Sequence, residues 1–295
     1  MNIYSKTKKI FYGIIGRLSP KALSRILYYR RFRKHLNLKN PKSFNEKLMW
    51  LKLNLYNNDP TVWKCADKYL VREYAKEKGV KEENLPKLIK VYKNADEINF
   101  DELPDKFALK CSHGCGFNVI CTDKSKLNKE KTKKQLNKWL KTKFGYETAE
   151  VHYTHIKPVI ICEEYIGGDP NIFPIDYKVF CFNGIPKIIR TSTERKTGYK
   201  LNYFSLNWTE LNYGKEGTAN KKPIKKPQNL NKILKIARVL SKDFPFVRID
   251  FFENEGTPIL GEMTFTPSAC LARYYNETGD HELSKLLILP KENIL

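Results

Sequence analysis

Apolar and polar residues alternate along residues 246–252 in the two-residue period of a β-strand. Arg248 and Asp250 fall on one face of such a strand, and the apolar residues between them fall on the other. Residues 254–257 then have the turn signal of a hairpin, and residues 258–263 are typical of a returning strand. The pattern therefore predicts a β-hairpin with a charged pair on an otherwise apolar strand.

Pairing of the two strands about Gly256 places Asp250 opposite Glu262. Cross-strand neighbours have Cβ atoms about 4.5–5.5 Å apart, and two carboxylates at that separation repel each other unless one is protonated or a cation bridges them. We expect Mg²⁺ to be the bridge, because proteins hold it with one or two carboxylates and substrate phosphates. Neutralising either carboxylate should then keep or slightly raise the stability of the metal-free protein. The alternative is a solvated hairpin face.

Other parts of the chain mix strand and helix patterns. Short apolar runs and the turn signal Asn183-Gly184 predict strands over residues 107–110, 119–121, 159–162, 176–182 and 187–190. Apolar residues at helical spacing predict helices over residues 44–53, 61–78, 129–144 and 230–240. Ser43 and Glu46 form a capping box at the start of the first of these helices. Residues 195–228, polar and basic with scattered aromatic residues, are predicted to be either a substrate-facing loop or a disordered connector.

The first 40 residues combine lysine and arginine with apolar residues at helical spacing, which predicts basic amphipathic helices. Such helices either dock on the protein's own core or lie on an anionic membrane surface. The apolar run 10–15 is too short to span a bilayer and lacks a small-residue cleavage site. We expect a soluble protein, with peripheral contact to an anionic membrane as the open alternative.

The charge and cysteine content of the chain limit the kinds of molecule that it is expected to bind. Lys and Arg total 54 against 32 Asp and Glu, and the resulting net charge of +22 favours polyanions such as nucleic acid, anionic lipid or acidic glycans. No RNP-like, zinc-finger or helix-turn-helix pattern accompanies the lysines, so we expect no dedicated nucleic-acid binding. The seven cysteines form no CxxC pair, which argues against a disulfide framework or zinc ribbon and favours a reducing cytoplasm.

Lys110 and the loop after it are candidates for phosphate binding. Lys110 adds positive charge at the end of a strand, and glycines in the loop allow backbone N–H groups to approach an anion. The loop residues concerned are Ser112, His113, Gly114 and Gly116. Two glycines are also ordinary in a hairpin turn, so a purely structural turn is the alternative.

Three further features are candidate binding elements. The strand 159–162 ends in an acidic, apolar and glycine-rich stretch, residues 163–168, which suits an adenine slot. Asp176 and Lys178 alternate onto one face of the next strand. Lys68 and Arg72 lie four residues apart in the predicted helix 61–78, where they are either solvated charges or an anion-binding pair.

The order of these segments resembles the ATP-grasp superfamily, and more narrowly its TupA-like branch of teichuronopeptide biosynthesis. The resemblance runs from about Pro41 to Ile288, and its most specific parts are residues 176–178 (DYK), 248–252 (RIDFF) and 261–267 (GEMTFTP). It implies an α+β fold in which ATP lies between two α+β subdomains with antiparallel sheets, and Mg²⁺ lies at the phosphates. We place a basic helical region at residues 1–58 and the two subdomains at 59–158 and 159–295.

The resemblance also implies a role for each candidate residue. Phosphate would contact Lys110, Ser112, His113, Gly114 and Gly116. Adenine would lie against Glu163, Glu164, Tyr165 and Ile166, and the ribose against Asp176. Lys178 and Arg248 would be catalytic residues that face the phosphate or acyl phosphate, and the metal would bind Asp250, Glu262 and Thr264.

Two departures from the family pattern matter. Many ATP-grasp ligases have Asn where this chain has Thr264, whose hydroxyl is a weaker ligand, so the number of magnesium ions, one or two, is left open. The separate N-terminal α/β domain usual in these ligases is replaced by basic helices, which leaves the acceptor site unassigned.

The resulting hypothesis is an ATP-dependent carboxylate–amine ligase that acts through an acyl phosphate in cell-surface polysaccharide biosynthesis. Its partners would be an amino acid or amine and an acidic glycan or lipid-linked polysaccharide precursor, in the cytoplasm or at the inner face of the membrane. One alternative is a glycosyltransferase of the same pathway, which would consume a sugar nucleotide. The other is a non-catalytic polyanion-binding protein with salt-sensitive glycan affinity.

Overall fold

The computed structural model of the chain describes residues 3–167, 174–194 and 198–291. Within these ranges the chain forms two antiparallel sheets with helices packed around them, which confirms the predicted α+β fold. The helices are α1 (Ile3–Leu18), α2 (Pro20–Phe32), α3 (Phe44–Asn54), α4 (Pro60–Ala66), α5 (Val71–Glu77), α6 (Lys129–Leu140), α7 (Leu230–Ser241) and α8 (Glu277–Leu286). The capping box at the start of α3 is present, with the Ser43 and Glu46 side chains each bonded to the other's backbone N–H.

The smaller sheet has the strand order β1–β4–β2–β3, formed by β1 (Leu88–Tyr92), β2 (Phe107–Cys111), β3 (Asn118–Cys121) and β4 (Ile160–Glu164). Because β4 lies between β1 and β2, its hydrogen bonds place residues 160–164 with this sheet, although the sequence assigned them to the second subdomain. Helix α6 covers a core of its own on this sheet through Leu136 and Trp139.

The larger sheet has the order β10–β9–β5–β6–β7–β8. Its strands are β5 (Asp176–Phe182), β6 (Ile185–Thr193), β7 (Lys200–Phe204), β8 (Glu210–Leu211), β9 (Phe246–Asn254) and β10 (Thr257–Thr264). Helix α7 packs on it through Ile233, Ala237 and Leu240, within the main hydrophobic core. Asn183 and Gly184 join β5 to β6 with φ of 48° and 77°, the positive values that a tight hairpin turn requires.

The β9–β10 hairpin turns at Glu255 and Gly256, and a bulge at Gly261 sets its final register. A regular ladder from this turn would place Gly261 opposite Asp250 and turn Glu262 to the other face. The bulge shifts the ladder by one residue, so Glu262 lies opposite Asp250 as predicted. A Cβ at Gly261 would lie 3.0 Å from the Phe252 ring and 3.1 Å from the Asp250 carbonyl oxygen, which explains the glycine.

The single helix predicted over residues 61–78 is wrong, because the chain breaks between α4 and α5. Asp67 ends α4 with an extended backbone, and its carboxylate accepts hydrogen bonds from the N–H groups of Tyr69 (2.7 Å) and Leu70 (3.3 Å). Aspartate competes in this way with helical hydrogen bonding. Lys68 therefore lies in a turn, whereas Arg72 lies in α5.

Residues 198–228 are more ordered than the sequence indicated. They contribute the strands β7 and β8 to the larger sheet, and Trp208 stacks on Phe204 with ring centroids 4.3 Å apart. Residues 195–197 of the predicted loop lie outside the described residues. The segment is therefore an edge of the sheet, not the connector that its polar composition suggested.

The two N-terminal helices dock on the rest of the chain through one face. Tyr12 and Leu23 pack with Ala149, and Gly16 lies so close to residue 146 that an added Cβ would be 1.9 Å from the Tyr146 carbonyl oxygen. The opposite face of α1 leaves Phe11 and Leu18 exposed. Within the described residues, no helix is both long and apolar enough to cross a bilayer.

Candidate active site

A row of polar side chains crosses one face of the larger sheet. Residues opposite each other in an antiparallel ladder share a face, so the strand register alone defines the row. Its members, from β10 to β7, are Glu262, Asp250, Lys178, Arg190 and Tyr203. We call these five residues the polar row. It unites predicted catalytic and metal-binding residues with Arg190 and Tyr203, which sequence reasoning did not identify.

Asp250 is the centre of the ionic contacts in the polar row. The Arg248 guanidinium donates to both of its oxygens, from Nε to Oδ1 at 2.6 Å and from Nη2 to Oδ2 at 2.8 Å. Lys178 Nζ donates to Oδ2 as well, and also lies 3.1 Å from Asp176. Burial favours a protonated Asp250, but the two cations outweigh burial and hold the pKa of this carboxyl well below its usual range.

Arg248 also lies between the two carboxylates that the sequence analysis paired. Its Nη2 donates to Glu262 Oε1 (3.2 Å) and to the Thr264 hydroxyl (3.0 Å), while Thr264 donates to the same Glu262 oxygen (3.2 Å). The expected repulsion between Asp250 and Glu262 is therefore compensated by a side chain of the protein itself. Protonation or a metal ion is not needed to explain the pairing.

The donors predicted to hold Mg²⁺ do lie together. Asp250, Glu262 and Thr264 present two carboxylates and a hydroxyl, and hard oxygen donors of this kind suit Mg²⁺. The Glu262 side chain is 40% exposed, whereas Asp250 is buried and shares its oxygens with two cations. Among the described residues, no three His, Cys, Asp or Glu side chains are grouped so as to hold a metal unaided. The chemistry of the donors fits the ion, with substrate phosphates supplying the remaining ligands.

A second buried cluster lies on the smaller sheet. Lys110 Nζ donates to Glu163 Oε2 at 2.6 Å, and Arg72 Nη1 lies 3.6 Å from Glu163 Oε1. Arg72 donates in addition to the Pro86 carbonyl oxygen and pairs with Glu82. The structure thus places Glu163 in a buried ionic cluster, and its side chain does not line the cavity described below. Arg72 is neither a solvated charge nor half of a pair with Lys68.

The loop after Lys110, residues 112–116, is called the glycine loop below. Its backbone is better placed than its side chains to contact a phosphate. Ser112 donates to the Lys157 carbonyl oxygen (3.4 Å), and His113 Nε2 lies 3.1 Å from the Thr142 carbonyl oxygen, so both side chains are held inside the protein. Gly114 and Gly116 have φ of 82° and 75°, and Lys68 Nζ donates to the Gly114 carbonyl oxygen. Cys115, which lies between the two glycines, is exposed at the tip of the loop.

A cavity of about 400 Å³ lies at the exit of β4. Its walls include Glu164, Tyr165 and Ile166 from this exit, and Leu85, Pro86, Asn254 and Ile259 from neighbouring segments. Three of the four residues predicted to contact adenine thus line one cavity, together with apolar residues and the charged Glu82, Glu83 and Lys87, which were not predicted. Gly168, also part of the predicted slot, lies outside the described residues.

Sequence reasoning missed Lys68, Arg72 and Arg190 as members of these clusters. A signal existed for Arg72, since it was recognised as part of a possible anion-binding pair. Arg190 was placed in a predicted strand, but the register that brings it beside Lys178 depends on the β5–β6 turn and on a bulge after Phe180.

Comparisons with known proteins extend this description. The TupA-like ATPgrasp family matches residues 46–288. No curated protein matches the chain.

Several solved ligase structures are similar over part of their length. The D-alanine–D-alanine ligase of Bacillus anthracis complexed with ATP is 17% identical with a TM-score of 0.39, and the match covers 69% of this chain and 55% of that chain. The L-amino acid ligase of Bacillus licheniformis is 14% identical with a TM-score of 0.45, covering 74% and 47%. The D-alanine–D-alanine ligase of Helicobacter pylori is 20% identical with a TM-score of 0.40, covering 76% and 61%.

The chain therefore spans about half to three fifths of these ligases. The family match covers most of the chain, includes the polar row and the glycine loop, and agrees with the resemblance noted from the sequence. The protein belongs to the TupA-like ATP-grasp family.

Proposed function

We propose that this protein is a magnesium- and ATP-dependent ligase that activates a carboxylate as an acyl phosphate and joins it to an amine. Family membership supports the class of reaction. The observation that carries the proposal is the ionic cluster of Lys178, Asp250 and Arg248, which is buried and which reaches the partly exposed Glu262 through Arg248.

Each part of the site has a task in this reaction. The cavity lined by Tyr165 and Ile166 takes the adenine, and Lys110 with the backbone of the glycine loop takes the phosphates. Lys178 and Arg248 then stabilise the charge that develops on the transferred phosphoryl group and on the acyl phosphate. Phosphoryl transfer depends mainly on positioning and charge stabilisation, so these residues suffice without a nucleophilic side chain.

Asp250, Glu262 and Thr264 are the residues that would hold Mg²⁺. When bound, the ion offsets negative charge on the phosphate oxygens. Arg248 already contacts all three side chains, so it would remain beside the ion and orient its ligands.

The reaction balances in two steps. A carboxylate oxygen of the acid attacks the γ-phosphorus of ATP, the bond from that phosphorus to the β,γ-bridging oxygen breaks, and ADP leaves. The amine nitrogen then attacks the acyl carbon and forms the C–N bond. The bond from the acyl carbon to the phosphate oxygen breaks, inorganic phosphate leaves with that oxygen, and the nitrogen gives up one proton.

The substrates proposed are an amino acid or amine and an acidic glycan or lipid-linked polysaccharide precursor. Support comes from the net charge of +22, which favours acidic partners, and from the TupA-like family assignment. We propose a role in building a cell-surface polysaccharide in the cytoplasm, with the same two observations as support.

The outer face of α1 supports peripheral binding to the anionic inner face of a membrane. Four apolar side chains on this face, Ile10, Phe11, Ile14 and Leu18, are 55–81% exposed. Exposed Lys8, Arg17 and Arg25 lie on the same pair of helices. An apolar stripe bordered by cations is complementary to anionic lipid.

The membrane part is tested by replacing Phe11 and Leu18 together with serine. Burial of each such side chain contributes about 1.5–3 kcal/mol, so partitioning onto phosphatidylserine vesicles should fall about tenfold or more. Sedimentation with vesicles measures this, and serine at the exposed Ile120 and Ile288 is the matched control. Equal sedimentation of all variants would contradict membrane binding.

The ligase is tested by incubating the protein with Mg²⁺, ATP, mixed amino acids and uronic-acid glycans and measuring ADP. ADP formation that requires both an acid and an amine is the expected result. Consumption of a sugar nucleotide without ATP turnover would identify a glycosyltransferase instead. Salt-sensitive glycan binding with neither turnover nor nucleotide affinity would identify a polyanion-binding protein.

A further inference from the structure

Arg190 continues the polar row beyond the residues assigned to ATP and Mg²⁺. It lies on β6 opposite Lys178 on one side and opposite Tyr203 of β7 on the other. Adjacent strands are about 4.8 Å apart, so Arg190 lies about 10 Å from Asp250 across the sheet. It is therefore near the reaction centre but outside the ionic contacts that hold Asp250.

Among the residues that the structure describes, Arg190 is buried without a carboxylate partner. Only 5% of the residue is exposed, and its Nε and Nη1 groups have no hydrogen-bond acceptor within this part of the chain. Lys178 and Arg248, its cationic neighbours on this face, both pair with Asp250. Burial of a cation is costly unless an anion compensates it, so a guanidinium left in this state needs a ligand.

The surroundings of Arg190 are aromatic rings and hydroxyls. The guanidinium lies 5.5 Å from the centre of the Phe180 ring and 5.0 Å from that of Tyr274, and these cation–π contacts offset part of the cost. Within the described residues, the buried hydroxyls of Tyr203 and Tyr275 make no hydrogen bond of standard geometry, although Tyr203 lies beside Arg190 and Tyr275 beside Tyr274. Unpartnered groups that can donate therefore collect at one place.

Tyr274 adds a further sign of excess positive charge. Burial raises the pKa of its hydroxyl, but the charges of Arg190 and Arg248 and the hydrogen-bonded Ser268 hydroxyl (3.0 Å) outweigh burial and lower the pKa to about 8. The same positive charge also favours an external anion at this place.

We propose that Arg190, with the hydroxyls of Tyr203 and Tyr275, binds a substrate carboxylate other than the one that is phosphorylated. This inference rests on the proposed ligase function. A carboxylate at Arg190 would lie one to two strand spacings from Lys178 and Asp250, which matches the span of a small amino acid. Its source is either the α-carboxylate of an amino-acid amine substrate or a second carboxylate of the acid substrate.

The binding arm of the test does not depend on turnover. Succinate, titrated into the protein with Mg-ADP, is expected to bind wild type, whereas its uncharged analogue succinamide is not. Arg190→Met should weaken succinate binding by about tenfold or more, the value of a hydrogen bond to a charged group, and Arg190→Lys should weaken it less. Arg238→Met, the same change at an exposed arginine of α7, is the control.

The kinetic arm separates the two sources. If the amine substrate carries the carboxylate, Arg190→Lys raises the KM for glycine or L-glutamate but not for hydroxylamine, an amine without a carboxylate. If the acid substrate carries it, the KM for a dicarboxylic acid rises even with hydroxylamine. The KM for ATP stays constant in both cases.

Three results would overturn the inference: no succinate binding by wild type, equal binding by wild type and both Arg190 variants, or a parallel loss of ATP affinity. The last would place the nucleotide against Arg190. Loss of succinate binding in Arg190→Met together with an absence of ADP formation by wild type would uphold the anion site and reject the ligase proposal.

Discussion

Two buried carboxylates, one on each sheet, are each held by a lysine and an arginine, yet the two clusters are built differently. On the smaller sheet, Glu163 is held by Lys110 and by Arg72, which comes from helix α5 and also binds the Pro86 carbonyl oxygen. On the larger sheet, Asp250 is held by Lys178 and Arg248, which both come from the sheet itself.

The two clusters differ in which of their side chains can contact a ligand. Arg72 joins a helix, a loop and a sheet, so the contacts of Glu163 fix the position of the smaller sheet's strand exit. Arg248, by contrast, reaches past Asp250 to the partly exposed Glu262 and to Thr264. We infer that the Glu163 cluster is a structural anchor that positions Lys110. In the Asp250 cluster, by contrast, we infer that Arg248 and Lys178 can form new contacts with a bound ligand.

The largest expected effect is that of Asp250→Asn. Loss of one member of a buried ion pair costs about 3–5 kcal/mol, because Arg248 and Lys178 are left uncompensated. The melting temperature should therefore fall, which reverses the rise expected from carboxylate repulsion alone. ADP formation should drop by about 100-fold or more. Asp243→Asn, at an exposed pair with Lys78, is the control, and unchanged melting of Asp250→Asn would refute the contacts described.

Glu262→Gln should separate metal binding from stability. Since this side chain is 40% exposed and Arg248 keeps its contacts with Asp250, the free energy of unfolding should change by no more than about 0.5 kcal/mol. Magnesium affinity in the presence of ATP should fall by about 10–100-fold or more. Mutation of residues that only hydrogen-bond to a metal ligand already lowers metal affinity by that much. Glu253→Gln on the same hairpin is the control. Full magnesium-dependent turnover would remove Glu262 from the metal site.

Lys110→Met should weaken ATP binding without unfolding the protein. Glu163 keeps Arg72 as a partner, so the anchor survives, while a charged hydrogen bond to phosphate worth about 1.5–3 kcal/mol is lost. Calorimetry should show affinity for Mg-ATP reduced by about tenfold or more. Lys90→Met, on β1 of the same sheet, should bind normally, and normal binding by Lys110→Met would exclude Lys110 from the site.

Glu163→Gln gives the smallest expected effect on turnover and the sharpest contrast with Asp250→Asn. Arg72 retains the Pro86 carbonyl oxygen and Glu82, so the loss of stability should be about 1–3 kcal/mol. Turnover at saturating ATP, measured below the melting transition, should fall less than about tenfold. A collapse of turnover equal to that of Asp250→Asn would mean that both clusters take part in the chemistry.

Sequence patterns predicted most of the strands and turns that carry the site residues, because these segments have strand alternation and turn signals that can be recognised locally. The two-residue period of residues 248–252 predicted that Arg248 and Asp250 share a face, and Asn183-Gly184 predicted the β5–β6 turn. The opposition of Asp250 and Glu262 is also correct, although it depends on the bulge at Gly261, which no local pattern revealed. The resemblance to the ATP-grasp superfamily added the order of the segments.

The errors have separate causes, some local and some in contacts between distant segments. The helix over residues 61–78 breaks because the Asp67 carboxylate bonds to backbone N–H groups, and β7 was missed because lysine and asparagine obscure its alternation. The prediction that the two carboxylates must repel each other did not count Arg248, whose side chain reaches both. Arg190 became visible only through the register of three strands.

The most direct test of the ligase account is to trap the acyl phosphate with hydroxylamine. Wild-type protein, Mg-ATP, a mixture of uronic acids and amino acids, and excess hydroxylamine should yield hydroxamate and ADP in equal amounts, and Asp250→Asn should yield neither. Hydroxamate formed together with AMP and pyrophosphate, or no nucleotide turnover with any acid, would contradict the account.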